Sequence, residues 1–73
     1  MRIYVRLLDE GSSAARPTEG EPLGNGLFRI LPTADYDPED EHWEFAPYCI
    51  VRCESRRDQE GPEYLLAIEN ISK

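Results

Sequence analysis

Gly24-Asn25-Gly26 constrains this chain more than any other local feature. An Asn-Gly pair between extended segments favours the two-residue type I′ hairpin turn, because both residues tolerate positive φ. It predicts that residues 14–23 and 27–31 pair antiparallel. Alternating apolar positions, rich in β-branched and aromatic residues, mark three more strands. Residues 2–8 place Ile3, Val5 and Leu7 on one face; 49–54 do the same with Cys49, Val51 and Cys53. In 63–69, Tyr64, Leu66 and Ile68 alternate against Leu65 and Ala67. Asp9-Glu10-Gly11-Ser12-Ser13 reads as a turn, and Ser55 to Pro62 as a polar hairpin loop. Pro17 has no amide to donate, so its strand must lie at an edge or carry a bulge.

Five short strands in 73 residues imply one domain spanning the whole chain, with a thin core. The expected fold is all-β: a small five-stranded SH3-like antiparallel barrel, whose closure protects strand edges. An open antiparallel sheet is the alternative. Between the third and fourth strands, Asp37-Pro38-Glu39-Asp40-Glu41 has the grammar of a helix start, with an Asp cap, Pro at the first helical position and acids in the first turn. Only one short helical turn fits there, near 38–42. Trp43 and Phe45, if extended, face the same way and plug the core.

Charge is the second constraint. Fifteen acids oppose eight bases, for a formal −7. Asp35, Asp37, Glu39, Asp40, Glu41 and Glu44 fall in ten residues without a Lys or Arg, leaving nine acids against eight bases elsewhere. Six of the seven excess charges thus sit in residues 35–44. An acidic chain is a poor ligand for nucleic-acid phosphates or anionic membranes. MRIYVRLLDEG is too short and too interrupted by arginine for a signal peptide, so the expected setting is the cytoplasm.

Candidate chemistry is sparse. Cys49 and Cys53, four apart in a strand, stand about 13 Å apart, beyond disulfide reach. With His42 as the only further soft ligand, they are too few for a closed zinc site. Asp35-x-Asp37-x-Glu39 copies half a calcium loop, but Asp40 stands where glycine is needed and Ala46 where the bidentate Glu belongs. His42 beside Glu41 has the makings of a general base, yet no nucleophile pairs with it. Arg56 and Arg57, flanked by Glu54, Asp58 and Glu60, read as members of surface ion pairs. No enzyme, metal site or cofactor is expected.

Arg6-Leu7-Leu8, Arg16-Pro17, Leu27-Phe28-Arg29-Ile30, Trp43-Glu44-Phe45 and Val51-Arg52-Cys53-Glu54 together span most of the chain. In these motifs the protein resembles a set of small bacterial proteins of similar length and unassigned function. The resemblance implies a single small domain and carries no activity. Two positions depart from its pattern: Ala15 replaces a Trp, and Tyr48 replaces the Gly of a Pro-Gly pair.

The functional expectation is a non-catalytic module that docks a basic protein surface through residues 35–44. Asp35, Asp37, Glu39, Asp40, Glu41 and Glu44 would supply charge, and Tyr36 and Trp43 aromatic anchors. An inhibitor that mimics nucleic acid is its sharper form. The competing readings are a structural β domain that associates with itself through an edge strand, and an enzyme or metal-dependent module using His42 and the nearby carboxylates.

Overall fold

The computed structural model describes residues 1–8, 15–57 and 61–72. The expected turn over Asp9–Ser13, Ala14, and residues 58–60 of the last hairpin lie outside them. Five strands follow one another: β1 (Arg2–Arg6), β2 (Ala15–Gly24), β3 (Leu27–Ile30), β4 (Ile50–Arg57) and β5 (Glu63–Asn70). Each pairs with the next, and β5 returns to β1 to close a barrel. The fold is therefore the expected small all-β barrel and not an open sheet.

Parity sets the last pairing. Every consecutive pair is antiparallel, so the fifth strand runs in the same direction as the first. Closure between β1 and β5 is accordingly parallel, through Tyr4 opposite Leu66. The β2–β3 hairpin is tight: Gly24 opposes Leu27, and Asn25 and Gly26 have φ of 57° and 77°. A bulge between Pro22 and Gly24 precedes it.

Pro17 sits in the half of β2 that pairs with β1, opposite Tyr4; pairing with β3 begins only at Gly20. Since the Gly20 amide donates to the Met1 carbonyl, the alternation of an antiparallel ladder turns residue 17 away from β1. The missing donor thus faces a side where no strand needs it. The last hairpin is longer in strand than expected. Ser55, Arg56 and Arg57 pair with Leu65, Tyr64 and Glu63 instead of forming loop.

Ile3, Val5, Phe28, Ile30, Val51, Cys53 and Ala67 fill the barrel, with Trp43 from the β3–β4 connection. Cys49 and Leu65 pack against this core. The inward Cys49, Val51, Cys53 stripe holds, although Cys49 lies just before β4. Both thiols are free, and burial pushes Cys53 up to about 11. A thiol so shifted is almost wholly protonated at pH 8 and unreactive. Cys53 is expected to resist iodoacetamide at pH 8 in the folded protein and to react fully in denaturant. Its neutral form is favoured by folding, so its contribution to stability is complete below the unfolded thiol pKa and is lost as pH rises through 11.

Ala46-Pro47-Tyr48-Cys49 forms a turn closed by the Cys49 amide donating to the Ala46 carbonyl at 3.3 Å. Pro at its second position and φ of 74° at Tyr48 are the marks of a type II turn, whose third position belongs to glycine. Tyr48 occupies the left-handed region with its side chain 66 % exposed, so no burial offsets the strain. Replacing Tyr48 by Gly is expected to stabilise the fold by about 1 kcal/mol, raising Tm by about 4–8 °C for a domain of this size. A thermal melt decides it; an unchanged or lower Tm contradicts the strain argument.

Candidate functional site

The acidic connection, residues 31–49, is fastened across one end of the barrel. Its first anchor is backbone pairing. The Leu8 amide donates to the His42 carbonyl at 2.6 Å, the Glu44 amide to the Arg6 carbonyl at 2.8 Å, and Leu7 bridges Trp43. Residues 42–44 thereby extend the sheet beside the end of β1. Trp43, 7 % exposed, drops into the barrel mouth, and Phe45 packs beside the core. The expected aromatic plug forms as the alternation implied.

The second anchor is Arg16 on β2. Its Nη2 donates to both oxygens of Asp35, at 2.8 and 3.0 Å. Its Nε is buried 3.5 Å from Glu41 Oε1, an ion-pair contact without a hydrogen bond, and that oxygen accepts the indole N–H of Trp43 at 3.0 Å. Tyr36 stacks edge-on against Trp43, ring centroids 4.7 Å apart. One guanidinium thus gathers Asp35, Glu41 and, through Glu41, Trp43. The Thr33 hydroxyl and the Arg16 guanidinium hold the Asp35 carboxyl below the usual carboxylate range.

Between these anchors the chain makes one turn. The Asp37 carbonyl accepts from the amides of Asp40 (3.0 Å) and Glu41 (2.9 Å), while its carboxylate caps the Glu39 amide at 2.9 Å. The capping grammar is obeyed for that single turn. No helix appears among the described residues, because His42 is already committed to pairing with Leu8.

The eight residues expected to form a docking face therefore divide. Trp43 is in the core and Tyr36 is half-buried against it. Asp35 and Glu41 serve Arg16; Glu44 lies 3.7 Å from Arg6. Asp37, Glu39 and Asp40 are exposed together on the turn. Sequence reasoning missed Arg16, whose pairing with Asp35 across 19 residues has no local signature. No three His, Cys, Asp or Glu side chains converge on a metal-sized site among the described residues. Among those residues, no helix is long and apolar enough to cross a membrane. No family model, curated protein or solved structure matches the chain.

Replacing Arg16 by Gln removes both hydrogen bonds to Asp35 and the positive charge beside Glu41, and should lower Tm in a thermal melt. In the same variant the Asp35 carboxyl, followed by NMR titration, should return toward 3.8. The sign on wild type is fixed: a carboxyl lowered by folding adds stability above its unfolded pKa, and that stability is lost as pH falls through the folded value. Loss of stability below about pH 4 should accordingly be shallower in Asp35→Asn than in wild type.

Proposed function

We propose that this chain is a non-catalytic interaction module that meets a basic protein surface with the tip of its acidic connection. The observation that carries this reading is the exposure of Asp37, Glu39 and Asp40 on one hydrogen-bonded turn, while Asp35 and Glu41 face Arg16 and Glu44 stands near Arg6. The flanking pairs anchor the segment; the tip carries charge toward solvent. Three like charges on an anchored turn give a localised negative potential, which steers a positive partner and sets its orientation. Rim charges of this kind govern encounter and salt dependence more than the strength of the final contact.

The earlier picture of Tyr36 and Trp43 as contact anchors gives way to one in which they hold the platform. Cys49 and Cys53 as free thiols favour a reducing setting, and we place the module in the cytoplasm.

The test is capture of basic proteins from native lysate by immobilised wild type and by Asp37→Asn/Glu39→Gln/Asp40→Asn. The triple variant should keep its Tm and lose capture by about tenfold, as three exposed ion pairs worth about 0.2–1 kcal/mol each allow. Wild-type capture should weaken with added salt. Equal capture by both proteins would reject the reading.

A further inference from the structure

Away from the acidic turn, the outside of the barrel has a cleft of about 200 Å³ lined by Arg6, Ala15, Arg56, Tyr64 and Leu66. We propose that this cleft binds an aryl phosphate: an aromatic ring on its apolar floor, with the phosphoryl group between the two guanidinium groups.

The site lies over the seam where β1 and β5 close. Residues that point outward from a small barrel are ordinarily polar, since the opposite face supplies the core. Here Leu66 is only 5 % exposed, although it stands outside the core cluster. Its strand neighbours Leu65 and Ala67 face inward, so Leu66 is covered from outside. Tyr64 stands beside it and packs edge-on against Tyr4, ring centroids 5.2 Å apart, across the seam. An apolar floor walled by an aromatic ring and bounded by a few charged groups is the usual make-up of a small-molecule site.

The charges select the ligand. Arg6 has Glu44 at 3.7 Å, beyond hydrogen-bonding distance, and Arg56 pairs with Glu54 on its own strand. Both guanidinium groups are half-exposed, and each has five donors. Exposed pairs of this type are weak and readily exchanged. A monoanionic carboxylate gains little by competing with two resident glutamates. A phosphoryl dianion brings a second charge and three terminal oxygens, enough to engage both arginines at once. Inorganic phosphate would leave Ala15 and the Tyr64 ring unused, whereas an aryl group covers them.

The experiment is a two-dimensional amide NMR titration of the full chain with phenyl phosphate, inorganic phosphate and benzoate. Phenyl phosphate should shift Ala15, Tyr64 and Leu66 saturably, and bind at least about fivefold more tightly than the other two. Arg6→Gln and Arg56→Gln should each weaken it by about fivefold or more, and Arg56→Gln should do so at unchanged Tm. Glu54→Gln, which releases Arg56, should tighten it by about threefold, a gain that a damaged fold cannot produce. A short phosphotyrosyl peptide titrated in parallel assigns the source: tighter binding than phenyl phosphate indicates a protein-borne group, equal or weaker binding a free one. The absence of saturable shifts, wild-type affinity in Arg56→Gln, or benzoate binding as well as phenyl phosphate would each overturn the proposal.

Discussion

Arg16 is the residue on which the arrangement of this molecule depends. A barrel of five short strands has an open end, and here an irregular, strongly acidic connection must cover it. Acidic segments of this density repel themselves and favour solvent. The guanidinium at Arg16 reverses that tendency locally, holding Asp35 with two hydrogen bonds and standing beside Glu41. Because Glu41 also accepts the Trp43 indole N–H, the same charge steers the largest apolar side chain into the core. Electrostatics and packing are coupled through one carboxylate.

This coupling changes the meaning of the acidic run. Its charge is distributed by position: the ends are matched to Arg16 and Arg6, and the middle is left exposed on a capped turn. The turn is short because the backbone on its far side is drawn into pairing with β1. The same pairing extends the sheet beyond the point where β5 meets β1, with its single partnered position at Tyr4 and Leu66. Closing an odd number of strands in simple succession requires a parallel contact, and a second segment supplements it. The seam consequently has two distinct neighbours, the acidic platform at one place and the arginine-bounded cleft at another.

Much of the scaffold was legible in the sequence. Asn25-Gly26 demanded its hairpin, and strand alternation put Ile3 with Val5, and Val51 with Cys53, on one face of their strands. The length of β4 was less legible, because Ser55, Arg56 and Arg57 look like loop and are held in strand by partners on β5. Tyr48 shows the opposite case: the sequence names the residue, but only the backbone shows that it is held at positive φ. For the candidate site, the spacing of residues 37–41 foretold the cap, and the alternation of Trp43 and Phe45 foretold the plug.

By itself the sequence determined the hairpin, the strand periodicity, and the concentration of negative charge in ten residues. Those properties arise from local backbone preferences and from counting, which need no distant partner. Tertiary structure alone decided which carboxylates Arg16 would bind, which face of β5 would enter the core, and that Arg6 and Arg56 would border one cleft. Each of these depends on residues far apart in the chain being brought together by barrel closure. Periodicity specifies that a strand has two faces, whereas only the register and curvature of its neighbours specify what each face meets.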